Sequence, residues 1–293
     1  MKASRLYASK RLARGFAAAA LLIAACASGG GAEEAPRRVV SFNVCADQLV
    51  LALADPAQIV GLSPYAADPA MSTEAARARD FPRLGWQAES VVPLDPDLVL
   101  VGSWDRSLTQ RMLRSLGFRV LPVDVVADLA GAYAQIRDLA ALLGHAERGE
   151  ALIGEIEAAR ARLAAARPAA TSALLIGNGG YTVGPASLAA ALMAEAGLKP
   201  PPGAPKGYGG YVPLEKMIVL NPDFLVMANA IDQPDGQGAV YLTHPALRAL
   251  YPADRRIILP ARYTLCGGPS LIAAFDYLTS MIGRRMPPSR RGD

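Results

Sequence analysis

The side chains of this chain that could meet a ligand are aromatic or cationic, and they are few. Asn43 and Cys45 follow the β-branched run "RRVVSF". Tyr65 follows "IVGLS", Trp86 precedes Glu89, and Trp104 and Arg106 follow "DLVLV". In the second half Tyr181 follows "LLIGNGG", and "KGYGGY" carries Lys206, Tyr208 and Tyr211. Arg262, Tyr263 and Cys266 follow "IILPA". Aromatic faces with polar edges and a few guanidinium groups suit binding of a large, flat or greasy ligand with anionic groups. Any one of these aromatics is as well explained by packing; their recurrence after successive apolar runs points to a ligand. Tyr241, Tyr251 and Tyr277 sit within or beside helical patterns and read as structural.

Bond-breaking chemistry has no such support. The chain has no G-x-S-x-G and no H-E-x-x-H, and no histidine stands near a Ser or Cys nucleophile. "IGNGGYT" begins like a dinucleotide fingerprint, but Thr182 stands where the third glycine is needed, and no phosphate-cradling G-x-x-x-x-G-K-[ST] occurs. The glycines of "YGG" and "CGG" instead allow close approach of backbone to a ligand or a neighbouring loop. The two histidines, His145 and His244, lie away from the strand ends. A dedicated site for free zinc or manganese is therefore not expected, and a metal would arrive already chelated. Tyr65 or Tyr263 could ligate haem iron, though nothing singles either out.

Apolar β-branched runs must carry these residues, and helical patterns separate them. In the first half the runs are residues 37–42, 59–63, 97–101 and 118–125, with helical patterns over 46–54, 88–94 and 106–117. In the second half they are 172–177, 223–227 and 255–260, with helices over 186–197, 214–220, 244–250 and 269–282. Strands apolar along their whole length suit a parallel sheet covered on both faces. Between the halves, Leu152, Ile156, Ala159 and Leu163 mark one face of a helix from Glu147 to Arg167, stopped by Pro168. At 1.5 Å per residue it would be ~30 Å long.

One phrase occurs twice. "ESVVPLDPDLVLV" begins at Glu89 and "EKMIVLNPDFLVM" at Glu215, with Glu, Pro and the second Asp at matching offsets. Each copy reads as a short helix that starts with Glu, is broken by Asp/Asn-Pro, and leads into a buried strand.

The first 25 residues differ from the rest. Five cations (Lys2, Arg5, Lys10, Arg11, Arg14) precede the apolar run "GFAAAALLIAA", a secretory signal pattern too short to span a bilayer. "IAAC" resembles a lipobox, which would make Cys26 a lipidated N-terminus; cleavage at Ala25-Cys26-Ala27 is the alternative. The full chain has 30 Lys plus Arg and 26 Asp plus Glu. Removing the five leader cations leaves 25 against 26, a net charge of −1, so nucleic acid is not a suggested partner. Lipidation of Cys26 would leave Cys45 and Cys266 as an even pair in an oxidising compartment. They could form a disulfide, stay free thiols, or hold a soft metal.

The opening "RVVSFNVCADQL", the "IVGLSPYAADP" strand and loop, the paired "PD" phrases and the single linking helix together carry a resemblance. Over residues 38–282 the chain resembles the periplasmic substrate-binding proteins of metal-chelate ABC importers, which serve ferric siderophores, haem and cobalamin. The resemblance implies an α/β fold of two Rossmann-like lobes with central sheets, joined by one long rigid helix. It implies a chelate between the lobes; because ligands of such sheets bind beyond the strands' carboxyl ends, the candidate contacts are the residues around those ends, Asn43, Cys45, Tyr65, Trp86, Trp104, Arg106, Tyr181, Tyr208, Tyr211, Arg262 and Tyr263. It implies that Glu89 and Glu215 dock on basic pockets of a permease dimer, which works with an ATPase, although either Glu also suits the first turn of a helix. No cofactor and no catalysis are implied, and the carrier is expected to be a monomer.

The organisation expected is a signal (1–25), tether (26–37), N-terminal lobe (38–127), helical linker (128–168), C-terminal lobe (169–286) and tail (287–293). The ligand expected is a ferric siderophore or related iron complex, or cobalamin. The alternatives are a haem or free-metal carrier and an exported sensor or scaffold lipoprotein. An enzyme on a similar scaffold would need more cofactor-bearing cysteines than the three present.

Overall fold

The computed structural model describes residues 34–85, 87–103, 107–166, 171–228 and 239–285. Each half builds its own sheet. In the first, β1 (Val39–Ser41), β2 (Ile59–Gly61), β3 (Leu98–Gly102) and β4 (Val120–Val123) pair in parallel in the order β2-β1-β3-β4. In the second, β5 (Thr171–Leu175), β7 (Leu198–Lys199), β9 (Phe224–Met227) and β10 (Arg256–Ile258) pair in parallel in the order β10-β9-β5-β7. Read from its other edge, the second order is that of the first, with β5 standing for β1 and β9 for β3. The two sheets are separate; the inner strands β1 and β3 are buried along their whole length, as unbroken apolar runs require, while the edge strands β4 and β7 each expose a residue.

The repeated phrase is repeated in three dimensions. Asp95 (φ 40°) and Asn221 (φ 36°) are the left-handed non-glycine residues among those described, and each directly precedes the phrase's proline. Asp and Asn tolerate this conformation better than other residues with a side chain. The next acid in each copy ties the turn to the sheet. Asp97 accepts from the Arg37 and Arg38 amides at 2.7 and 3.0 Å, and Asp223 accepts from the Ser172 amide at 2.9 Å. An arginine then covers each turn's carbonyls: Arg38 donates to Leu94 O and Asp95 O, and Arg255 to Pro222 O and Asp223 O. One local difference departs from expectation. Residues 88–94 are two short 3-10 turns (Ala88–Ser90 and Val92–Leu94) rather than one helix. Pro93 lacks an N–H, and the β-branched pair before it weakens helical continuation.

Helices α1 (Val44–Leu53), α2 (Ala75–Ala78) and α3 (Ser107–Ser115) flank the first sheet. The seam between the lobes holds α4 (Leu129–Leu142) and the 21-residue α5 (Ala146–Ala166). In the second lobe follow α6 (Leu188–Glu195), α7 (Leu214–Leu220), α8 (Ala239–Thr243), α9 (Pro245–Leu250) and α10 (Ser270–Arg285). The linking helix buries Leu152, Ile156, Ala159 and Leu163, the face the spacing predicts, and Gly149 and Ile153 with them. It does not bridge the lobes alone. It packs between α4 and α10, and one apolar cluster runs from Val39 and Leu98 through Ile156 and Leu278 to Ala173 and Val226. Arg160 fixes one end of the seam by donating to both Glu195 oxygens at 2.8 and 2.9 Å. Burial, with the Glu157 carboxylate accepting its hydroxyl, pushes the Tyr133 phenol above its usual range.

The "GYTVG" and "KGYGGY" stretches, outside the strands expected from sequence, form a small antiparallel sheet of β6 (Tyr181–Val183) and β8 (Gly209–Tyr211). A Cβ on Gly209 would lie 2.1 Å from the Thr182 carbonyl oxygen, and its φ is +123°, so a glycine is required there.

Candidate functional site

The loop after β10 shows how the lobes face each other. Cys266 is joined to Cys45, in the first turn of α1 after β1, by a disulfide of sequence separation 221. Arg262 donates to the Pro69 carbonyl oxygen, in the loop after β2, at 3.2 Å. Cβ atoms on Gly267 and Gly268 would lie 2.5 Å from Val126 Cγ2, 2.8 Å from Ala132 Cβ and 3.0 Å from Leu49 Cδ2. The close approach allowed by "CGG" is therefore to the other lobe. Residues following β1, β2 and β4 all meet the loop following β10, so the carboxyl ends of the two sheets point toward each other. That is the end where open parallel sheets bind ligands.

On the first lobe, Tyr65 stands on the loop of residues 63–73 and is 44% exposed. Asn43 caps α1: its side-chain oxygen accepts from the Cys45 and Ala46 amides at 2.9 and 3.3 Å. Trp86, Trp104 and Arg106 lie outside the described residues, as does Cys26.

On the second lobe the small sheet presents an exposed aromatic group. Tyr208 and Tyr211 are 82% and 72% exposed, and Tyr181 meets Tyr211 edge to face with centroids 5.3 Å apart. The Tyr181 hydroxyl donates to Tyr208 O at 3.2 Å, which braces the group from below. Arg262 and Tyr263 are more engaged than their sequence position suggests. The guanidinium lies 4.8 Å from the Tyr263 ring centre, and Tyr263 stacks on Tyr277 at 4.9 Å, whose hydroxyl donates to Ile258 O. Glu89 and Glu215 are exposed, one on each lobe, at equivalent points of the repeated phrase.

Sequence reasoning missed the polar layer beneath the rim. Asp47 and Gln48 of α1 are fully buried. Asp47 accepts from the Ser63 amide at 3.0 Å and from the Ser63 hydroxyl at 2.5 Å, and the Ser41 hydroxyl also bonds to it. Gln48 accepts from the Thr73 hydroxyl at 2.7 Å. Burial drives the Asp47 carboxyl up to about 6, against these hydrogen bonds, which lower it. A signal existed: Asp47 falls three residues after Val44 and four before Leu51, in the register of the helix's apolar face.

Two concavities lie elsewhere. One of about 550 Å³ runs between β4 and α4, and one of about 600 Å³ lies on the seam beside Arg148 and Asp276. None of the tyrosines above lines either. Among the described residues no group of three or more His, Cys, Asp or Glu could hold a metal ion, and no helix is long and apolar enough to cross a membrane.

The comparisons with known proteins agree with this architecture. No curated protein matches the chain. A periplasmic haem-binding protein from Pseudomonas aeruginosa superposes with a TM-score of 0.67 at 23% identity, covering 87% of this chain and 95% of that one. The vitamin B12-binding protein BtuF of Vibrio cholerae gives 0.62 at 17% identity, over 86% and 98%. An ABC-type Fe3+-hydroxamate transport protein from Saccharomonospora viridis gives 0.62 at 21% identity, over 86% and 94%. At these identities the structures establish a shared fold. Family membership rests on the sequence, which matches the periplasmic binding protein family over residues 39–255, well over half of the chain. Two duplicated parallel-sheet lobes facing each other across their carboxyl ends thus belong to a member of the periplasmic binding protein family, a solute-binding component of transport and not an enzyme.

Proposed function

We propose that this protein captures a metal chelate between its lobes and delivers it to an ABC permease. The observation that carries the reading is the exposed tyrosine group of the small sheet, on the lobe whose strand ends face Tyr65 and the first lobe. Rigid aromatic surface of this kind holds a large planar or greasy ligand with little entropic cost. Arg262 and Lys206 add positive charge for an anionic chelate. The chelate class is supported by solved relatives of the same fold whose names specify haem, vitamin B12 and ferric hydroxamate. The metal is expected to be held by its chelator, not by a dedicated set of protein ligands. Within the class, a ferric siderophore or related iron complex is the preferred ligand.

Glu89 and Glu215 are the docking anchors, one per lobe, for a roughly two-fold permease. Exposed acids steer and register such a complex more than they tighten it. The basic leader directs export, and lipid on Cys26 anchors the carrier to the membrane.

The experiment is chelate binding by the mature protein, followed by visible absorption and mass spectrometry with haemin, cyanocobalamin and a ferric trihydroxamate. One of the three is expected to bind at one per protein. The double variant Glu89→Arg, Glu215→Arg is expected to keep that affinity and lose uptake in cells. If none of the three binds, the chelate reading is wrong; if the double variant transports normally, the docking reading is wrong.

A further inference from the structure

We propose that Asp47 is a positioning residue of the cleft: its carboxylate holds the loop of residues 63–73, and through it the placement of Tyr65 and of the Pro69 carbonyl that Arg262 reaches from the other lobe. The inference rests on the ligand lying between the lobes, as proposed above, but its first test does not.

The contacts form a chain from core to rim. Asp47 accepts from both the amide and the hydroxyl of Ser63, and the Ser63 hydroxyl oxygen accepts in turn from the Tyr65 amide at 3.2 Å. One turn of backbone then carries the loop outward, through Ala66 N to Ser63 O at 3.1 Å and Asp68 N to Tyr65 O at 3.0 Å. The next residue of α1, Gln48, holds the loop's far end through Thr73. Two adjacent buried polar residues thus pin both ends of an eleven-residue excursion, residues 63–73, that bears Tyr65 and Pro69. The same turn of α1 carries Cys45, bonded to the opposite lobe. One helical turn therefore registers the loop and the other lobe against each other. A buried carboxylate in an apolar helix face is costly unless it organises its surroundings.

The charge on Asp47 is also a lever. Its hydroxyl and amide partners donate to the ionised form, so protonation weakens the hold on the loop. Ser41 comes from β1 and Ser63 from beyond β2, and Asp47 is the only titratable group of α1 apart from the bonded Cys45. On the other elements packed against α1, β3 has no titratable side chain, and Glu74 and Arg77 flank the pocket beyond Thr73. In α4, Tyr133 and Arg137 are engaged with Glu157 and Glu150, and Asp138 lines the outer groove beside β4. In α5, Arg148 bonds Asp55, Arg160 bonds Glu157 and Glu195, and Arg162 bonds Asp276; Glu147 lies in its first turn and Glu155 on the seam pocket. None of these charged groups is among the causes acting on Asp47.

The test compares amide hydrogen exchange in the ligand-free full protein for wild type, Asp47→Asn, Asp47→Ala and Ser63→Ala. Rates are corrected for the intrinsic pH dependence of exchange. The expected result is at least tenfold faster exchange across residues 63–73 in Asp47→Ala and Ser63→Ala, with amides of β1 and β3 changed less than twofold. In wild type the same loop should lose protection between pH 7 and pH 5, and in Asp47→Asn that pH response should vanish. Unchanged loop exchange, or an equal rise in β1 and β3, overturns the proposal; Ser63→Ala decides the matter if Asp47→Ala fails to fold. The second readout is affinity for haemin, cyanocobalamin and the ferric trihydroxamate, where about a tenfold loss in Ser63→Ala is expected for whichever chelate wild type binds. Binding by Ser63→Ala at wild-type strength overturns the link to the ligand. A wild type that binds none of them overturns the chelate reading instead and leaves the loop measurement to decide this one.

Discussion

The disulfide between Cys45 and Cys266 gives the sharpest quantitative test of how the lobes are held. Replacing both cysteines by serine removes a cross-link between residues 221 apart in sequence, almost the whole folded chain. In the chain-entropy account, closing a loop of that length restricts the unfolded ensemble by roughly 5 kcal/mol at 25 °C. The folded state keeps its other contacts across the seam, including Arg262 to Pro69 and Gly267 against Ala132. The change is therefore expressed mainly through the unfolded chain. Against a total stability of about 5–15 kcal/mol, such a loss is a large fraction. With a urea slope of about 3 kcal/mol/M, the unfolding midpoint of the double serine variant should fall by roughly 1.7 M. The assay is urea unfolding followed by circular dichroism, paired with thiol titration of the unreduced, unfolded mature protein. Two reactive thiols at residues 45 and 266, or an unchanged midpoint, would refute the reasoning.

Two further outcomes follow from buried groups. Burial raises the Asp47 carboxyl from 3.8 to about 6, so global unfolding, which hydrates the group, is opposed by protonation, whereas release of the loop, which only breaks the Ser63 hydrogen bonds while the carboxyl stays buried, is favoured by it. The stability it contributes is complete below about pH 4 and is lost as pH rises through about 6, a change of ~3 kcal/mol. Measured by denaturant unfolding, Asp47→Asn should gain on wild type by that amount between pH 4 and pH 7; a constant difference contradicts the assignment. Gly267→Ala would place a Cβ 2.5 Å from Val126 Cγ2 and 2.8 Å from Ala132 Cβ. It should cost roughly 1–3 kcal/mol by overpacking the seam, read as a lower melting temperature, whereas Gly283→Ala, with nothing within 4 Å, should not destabilise.

Much of the architecture was legible because its signals are local. Unbroken apolar runs announce strands covered on both faces, and the 3.6-residue spacing of Leu152, Ile156, Ala159 and Leu163 announces the linking helix. The doubled Glu…Asp/Asn-Pro-Asp phrase announced the duplication, because the left-handed turn and the proline stop are properties of a few neighbouring residues. The conformation of residues 88–94 was less legible, since helix and 3-10 turn share the same short-range preferences. The pairing of β6 with β8 was hidden for a related reason: three-residue strands rich in glycine carry too little side-chain pattern to betray a register.

The sequence by itself determined the order of the main sheet strands, the linking helix, the repeat and the family. These follow from periodicity and backbone chemistry, which act over a few residues. Only the tertiary structure decided that three helices rather than one close the seam, that Arg262 and Tyr263 are partly committed to packing, and that Asp47 is buried and bonded to Ser63 of the loop that carries Tyr65. Those facts depend on which surfaces meet across long separations in the chain, and desolvation acts on a carboxylate only when the fold has removed its water.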